Sequence, residues 1–392
     1  MKKILISLSL LTVVVTAAAQ NGYDAVLQQI EANSATLNAL REQTEAQKLN
    51  NRTGIYPANP EVEFHYLWGA PQGIGNRTDL SVSQSFDFPT AYRHRGKIAG
   101  LQNANAERLY QAERIRTLLA ARQVCIDLVY SNALAKEYAV RLQNAESIAA
   151  AYKTRLETGD ANRLEYNKAQ MNLVAVQAEK TRIEAEQAAL LLELQRMNGG
   201  KAIRFPDEAY PAVPLPADFE AWYAGVESRH PVLQYAGGQI EIDRQQLKLN
   251  RALGLPGFSA GYMSEKVAGE QFQGVTIGVS IPLWENKNRV RQAKAQVRAA
   301  ESALDDNRMQ LFNRLQNLYI QAVALRNNAQ KLRESLSENN NEPLLKKALD
   351  RGEISLLNYL LEIEYYYAAV NKTLEAERDY ERAGAELLAV EL

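Results

Sequence analysis

The sequence is short of most residues that carry chemistry. Its 392 residues hold a single cysteine, Cys125, so no disulfide can close within one chain. Cys125 sits inside a helical pattern and reads as a small core residue. The three histidines, His65, His94 and His230, are scattered, and neither HExxH nor C-x-x-C spacing occurs. Patterns for a nucleophilic serine, a P-loop or a dinucleotide-binding turn are missing as well. No catalytic residue, cofactor or metal ligand is therefore assigned, and the chain is not read as an enzyme. An excess of one charge is also missing. With 45 basic and 46 acidic residues, the chain presents no field that would gather nucleic acid. Long apolar runs are confined to the N-terminus, and even that one is shorter than the roughly 20 residues a membrane-spanning helix needs.

What is present begins with that N-terminus. "MKK" is a basic start, "ILISLSLLTVVV" an apolar run, and "TAAA" a small-residue site before Gln20. This is the layout of a secretory signal peptide over residues 1–19, cut after Ala19. Because Gln20 and not cysteine follows, no lipid anchor is expected at the new N-terminus. The mature protein is then residues 20–392, with the 46% hydrophobic content of an ordinary folded chain.

The mature chain reads as one unit written twice. "RLETGDANRLEYNKAQ" (155–170) and "ALDRGEISLLNYLLEI" (348–363) share a stop, a tight turn and a restart. Leu156, Gly159, Leu164 and Tyr166 recur 193 residues later as Leu349, Gly352, Leu357 and Tyr359. Pro60 and Tyr66 recur at an offset of 196 as Pro256 and Tyr262, and the change of offset falls in a loop, where insertions are cheapest. The repeats span 20–197 and 218–392. A segment rich in proline and glycine, 198–217, joins them. Each repeat runs helix, two strands, long helix, glycine turn, helix. The helical stretches are 23–52, 91–158, 163–197, 218–252, 285–350 and 355–390. "GGQIEID" (237–243) is read as an interruption by packing or bending within the fourth.

Four strands are expected, at about 59–69, 78–88, 256–265 and 273–281. They alternate with period two. Val62, Phe64, Tyr66 and Trp68 share one face of the first, and Leu80, Val82, Phe86 and Phe88 one face of the second, with Gln84 an exception. Serine, threonine and glycine dominate the opposite faces. An ordinary sheet packed on helices would show this alternation. A membrane barrel with a small-residue lumen would too, since its strands have about 9–11 residues. Four strands are too few to close a barrel, so that reading requires several chains, and three would supply twelve.

The long helices point away from a compact domain. Residues 91–158 alone would extend about 100 Å as one helix. Helices of that length need apolar seams against neighbours. Here the seams are small, with Ala104, Ala106, Ala120, Ala121 and Ala149–Ala151 in the first and Ala293, Ala295, Ala299, Ala300 and Ala303 in the second. "YYY" (365–367) reads as inter-helix packing or an amphipathic belt.

At this point the chain resembles the TolC family of outer-membrane channels, over nearly all of its mature length. The resemblance rests on "VSIPLWENKNRVRQAKAQVRAAE" (279–301) and "DRGEISLLNYLLEIEYYYAAVNKTLEAERDYERAGAEL" (350–387), with "SQSFDFPTAYRHRGKIAGLQNANAE" (83–107) as the weaker counterpart in the first repeat. The "YRHRGKIA" segment is similar to the heavy-metal efflux subgroup. The resemblance implies a mostly α fold with a small β part. Long antiparallel coiled-coil helices would be joined to four transmembrane strands per chain. A homotrimer would form a twelve-stranded barrel in the outer membrane and a helical tunnel in the periplasm. Its partners would be outer-membrane lipid, a periplasmic adaptor and an inner-membrane pump of the RND type, with no nucleic acid. Its role would be a passive exit duct for metal ions, drugs or exported proteins.

The resemblance also gives the twin hairpins a role as periplasmic tips. Gly159, Asp160, Gly352 and Glu353 are then candidates for adaptor docking, the glycines permitting a turn with positive φ. Family channels commonly carry an aspartate six residues after the second glycine, where this chain has Asn358. Glu165, Asn358 and Glu362 are the candidates for the pore constriction, where a ring of carboxylates would concentrate cations. A second reading, a periplasmic helical-hairpin adaptor or structural coiled coil, stays open from the residues alone.

Overall fold

The computed structural model describes residues 22–211 and 214–392. The expected signal peptide lies outside the described residues. Among the described residues nine α-helices and four strands follow the order α1 (Gly22–Asn33), α2 (Ala35–Asn50), β1 (Glu61–Leu67), β2 (Arg77–Phe86), α3 (Pro89–Thr158), α4 (Arg163–Met197), α5 (Phe219–Arg229), α6 (Pro231–Ala252), β3 (Gly257–Val267), β4 (Glu270–Ser280), α7 (Arg289–Glu338), α8 (Glu342–Asp350) and α9 (Leu356–Leu387). They divide into two units. The first takes its residues from Met1–Ser34, Ala120–Val213 and Asn328–Arg382; the second from Ala35–Leu119, Pro214–Asn327 and Ala383–Leu392.

Three expected helices are broken, each for a local reason. The stretch 23–52 is interrupted at Ser34. The stretch 218–252 breaks at His230, because Pro231 has no N–H to continue α5 and instead opens α6. The stretch 285–350 breaks at 339–341, where asparagines precede Pro343. Asparagine is a weak helix former, and the proline ring clashes with the carbonyl four residues back, here that of Asn339. Asn340 takes up the slack by accepting from the Glu342 backbone N–H at 3.2 Å.

The second unit holds the sheet. Its order is β1-β2-β3-β4, antiparallel throughout, so β2 against β3 is the seam between the two repeats. Register aligns the apolar faces across all four strands: Val62 pairs with Val82, Val82 with Tyr262, and Tyr262 with Val275. Gln84, the exception on that face, donates to the Ala58 carbonyl at 2.6 Å and so ties down the chain entering β1. Strands β3 and β4 run closer together than expected because Ala268 and Gly269 close them in a two-residue turn, both with positive φ (50° and 97°). The first pair is joined instead by the longer segment 68–76.

The helices of this unit have their own core. Ala91 and Ile98 of α3 pack on Ile242, Leu249 and Ala252 of α6. Phe219 and Tyr223 of α5 lie edge-on to Phe312 of α7, with centroids 5.5 and 5.0 Å apart. Contrary to the expected interruption, α6 runs unbroken through Gly237 and Gly238. Gly238 is there for close approach: a β-carbon would fall 1.9 Å from Asn105 Oδ1 and 2.2 Å from Arg108 Nη1 of α3. Asn105 is held in place, donating to the Tyr235 carbonyl at 3.1 Å and accepting from Arg108 at 2.7 Å.

In the first unit, Asn132 of α3 donates to the carbonyls of Phe205 and Asp207 at 3.1 and 2.9 Å, fixing the irregular segment after α4. The Tyr23 ring of α1 stacks on Phe205 at 5.8 Å. Cys125 is fully buried, and burial pushes its thiol up to about 12, as a core role demands. Beside these groups lies Glu381 of α9, 8% exposed. Burial moves its carboxyl from the ordinary 4.5 up to about 7, with Arg122 opposing and Glu377 reinforcing the shift.

Of the alanines expected at helix seams, Ala121, Ala149 and Ala293 are buried; the others are half-buried or exposed within one chain. On α7 the buried positions Leu315, Ala322 and Ala329 recur every seventh residue, the spacing of a coiled-coil seam.

Two outcomes are expected. Gly238→Ala should destabilise the second unit by about 1–3 kcal/mol, whereas Gly237→Ala, which meets nothing within 4 Å, should stabilise it by about 0.5–1 kcal/mol. Hydrogen exchange over α6 checks the opposite signs. Glu381 holds its proton more tightly folded than unfolded, so its burial costs nothing below pH 4.5 and increasingly much as pH rises through 7. Glu381→Gln should therefore flatten the loss of stability between about pH 5 and 8 and gain about 1–3 kcal/mol at the upper end, measured by thermal melts.

Candidate functional site

The two glycine turns belong to the first unit and flank one core. Ile148, Ala149 and Tyr152 of α3, Ala169 of α4, Leu349 of α8, and Leu356, Tyr359 and Ile363 of α9 pack together there. Ala161 from the first turn and Ile354 from the second cover this cluster, so both turns lie at the same end of the unit. Tyr359 is 2% exposed, and burial pushes its hydroxyl up to about 12.

Gly159 and Gly352 adopt φ of 82° and 71°, and nothing lies within 4 Å of where their side chains would be. The requirement is therefore conformational and not one of close approach. Each turn closes the preceding helix the same way: the Asp160 N–H donates to Arg155 O at 2.8 Å, and the Glu353 N–H to Ala348 O at 2.9 Å. Asp160 also accepts from the Thr158 hydroxyl at 2.7 Å, while Glu353 lies 3.7 Å from Arg351.

The restarts differ. Helix α4 begins with a reciprocal cap: Asn162 Oδ1 accepts from the Glu165 N–H at 3.0 Å, and Glu165 Oε2 accepts from the Asn162 N–H at 3.0 Å. The Glu165 carboxylate is thus engaged at the helix start. Helix α9 is capped by Ser355, whose hydroxyl accepts from the Asn358 N–H at 3.2 Å, leaving the Asn358 side chain free. Asn358 and Glu362 stand one turn apart on the exposed side of α9, beside exposed Leu361 and Tyr365. Among the described residues, no hydrogen bond or ion pair joins Glu165 to either.

One cluster at this end was invisible in the sequence pattern. Arg141 of α3 is 3% exposed, with its guanidinium 4.5 Å from the Tyr138 ring and 4.2 Å from the Tyr367 ring. The Tyr367 hydroxyl and Asn144 Nδ2 both donate to Glu342, at 3.3 and 3.1 Å. Glu342 opens α8 directly after the 339–341 break, so these bonds fasten α8 to α3 and α9. The three tyrosines 365–367 point in successive directions about 100° apart: Tyr365 is exposed, and the other two are half-buried. The repeated tyrosines hinted at packing, but nothing in the sequence linked Tyr367 to Arg141, 226 residues away.

Among the described residues no group of three histidine, cysteine, aspartate or glutamate side chains is arranged to hold a metal ion, and no helix is long and apolar enough to cross a membrane. The sheet has a different character. Both of its faces are largely uncovered by the helices of its own unit. Val62 is 66% exposed and Val275 and Ile277 are each 82% exposed, on the face that alternation makes apolar. Trp68 and Trp284, just beyond β1 and β4, are 81% and 80% exposed. The outer sides of β1 and β4 have no strand partner.

Residues 222–390 match the sequence model of the outer membrane efflux protein family. No curated protein matches the chain by sequence. The fold matches solved structures of CusC (TM-score 0.79, 14% identity, covering 95% of this chain and 92% of that one). It also matches the CmeC outer membrane channel of Campylobacter jejuni (0.75, 15%, covering 94% and 85%) and the outer membrane protein VceC of Vibrio cholerae (0.71, 14%, covering 94% of each). The chain thus shares the fold of these outer-membrane channels along its length, and residues 222–390 carry the sequence signature of the outer membrane efflux protein family.

Proposed function

We propose that three copies of the chain close a twelve-stranded barrel and act as the passive exit duct of a tripartite efflux system. The observation that carries this is the sheet: an aligned apolar face that the chain leaves uncovered, and two unpaired edges. In lipid every backbone polar group must be paired, and only a closed barrel pairs those of a sheet. The small polar residues of the other face, such as Ser81, Ser83, Ser259 and Thr276, would line the lumen. In this reading residues 1–19 are the export signal and the repeats 20–197 and 218–392 form one protomer. The barrel lies in the outer membrane and the helices reach into the periplasm. An adaptor that has one helical hairpin would leave such a sheet without a purpose.

The glycine turns are the tips at which a periplasmic adaptor docks, delivering cargo from an inner-membrane pump of the RND type. Gly159, Asp160, Gly352 and Glu353 are all exposed there. Asn358 and Glu362 form the constriction, with Glu165 beside them at the start of α4. A carboxylate such as Glu362, repeated three times around a narrow mouth, favours cations, which suits metal ions as cargo.

Gly159→Val and Gly352→Val place a β-branched residue at positive φ, which should cost about 1–2 kcal/mol or more at each turn. Efflux and adaptor cross-linking should fall while trimers persist on heated gels; full efflux in both variants would remove the tip assignment. In planar bilayers the purified protein should open trimeric, cation-preferring pores, and Glu362→Gln should lower the cation-to-anion permeability ratio severalfold. A protein that forms no pore and runs as a water-soluble monomer would refute the duct. Growth of a deletion strain on metal salts, dyes and antibiotics then identifies the cargo.

A further inference from the structure

We propose that a groove between α2, α3 and α6 binds a neutral N-acetylated glycan, the chemistry of cell-wall amino-sugar strands. The groove lies wholly in the second unit and encloses about 550 Å³, within the range of sites for small ligands. Its walls are rich in amides and hydroxyls: Gln43, Thr44 and Gln47 from α2, Gln102 from α3 and Gln239 from α6. The side chains of Gln43 and Gln102 make no hydrogen bond within the chain. Gln102 is half-buried, so its amide is an unused donor and acceptor held at a cavity wall.

Three features select the ligand. First, the two charged side chains that line the groove cancel each other: Glu113 pairs with Arg116 at 2.6 Å. Neither an anion nor a cation is favoured. Second, the amides offer both donors and acceptors, which suits hydroxyl and acetamido groups on one ligand. Third, Leu40, Ala106 and Ile242 supply apolar floor for an acetamido methyl and the C–H face of a sugar ring, and Tyr110 and Tyr235 add aromatic surface. A plain hexose chain would cover that floor with its C–H face alone and lack the acetamido methyl.

Position agrees. Helix α3 leaves the sheet at Pro89, and its groove residues from Gln102 to Arg116 lie about 20–40 Å along it. If the sheet is in the outer membrane, as the proposed function holds, the groove faces the periplasmic space that the cell-wall glycan occupies. The inference rests on that reading for its location only.

The test uses the full-length trimer in detergent, titrated calorimetrically with the N-acetylglucosamine tetramer and, separately, with maltotetraose. Binding of the acetylated tetramer, weaker by about tenfold for maltotetraose, is expected. Gln102→Ala and Tyr235→Ala should each weaken it by about fivefold or more, with trimer and pore conductance unchanged. The Tyr235 carbonyl that holds Asn105 is main chain and survives the substitution. No binding by the unaltered protein at millimolar sugar, or equal binding by both variants, overturns the proposal. So does Gln43→Cys forming a cross-link to a neighbouring copy while resisting maleimide, which would make the groove a subunit seam. Loss of conductance in the unaltered protein would count instead against the duct.

Discussion

An open four-stranded sheet carries two rows of unpaired N–H and C=O groups, one along each edge. Here the edges are β1 and β4, and the face aligned through Val62, Val82, Tyr262 and Val275 is apolar and bare. Water would satisfy the edges but not the face, and lipid would satisfy the face but not the edges. Closure with further copies satisfies both. That requirement gives the rest of the chain its task. It must deliver two hairpins of opposite repeats side by side, with a common register, and it does so through the β2–β3 pairing of Arg77 to Phe86 with Phe258 to Val267.

The helices repeat the same incompleteness. Most of the alanines that mark the long helices are not covered within one chain, and α7 buries few residues, Ala293 near its start and Leu315, Ala322 and Ala329 on one heptad line. Exposed Met309 and Ile320 lie off that line. A helix buried on one narrow stripe draws little stability from its own chain, because most helical stability comes from tertiary packing. Neighbouring copies in the proposed trimer would supply the remaining seams, in keeping with small residues that allow close approach.

The two glycine turns have one backbone and two chemistries. Both use a glycine in the left-handed region, and both fold onto one shared core. The first turn follows an unbroken α3 and restarts with a reciprocal Asn162–Glu165 cap. The second is preceded by the 339–341 break and is fastened by Glu342 to Asn144 and Tyr367. The buried Arg141, sandwiched between two tyrosine rings, supports that attachment. The second hairpin is therefore fastened by these polar contacts in addition to the shared core, where the first is continuous with its helix.

The four alternating strands and the turns at Gly159 and Gly352 were determined by the sequence itself, because they depend on local spacing and on backbone conformations that only certain residues adopt; the class of fold was carried by resemblance to a known family. The breaks at Pro231 and Pro343 were missed, because the apolar pattern runs past both prolines, although each proline acts on its own helix. Other features were settled only in three dimensions. Gly238 was read as a packing or bending site and proved to be a close packing contact, but which helix lies opposite a glycine is something spacing cannot name. Glu165, a candidate for the pore constriction, proved to have its carboxylate engaged in a helix cap. Arg141, Tyr367 and Glu342 meet across more than two hundred residues of chain, and the bareness of the apolar face is known only once every helix of its unit has been placed. Tertiary structure decides such things because they depend on which surfaces the chain brings together, and periodicity fixes a face without fixing its partner.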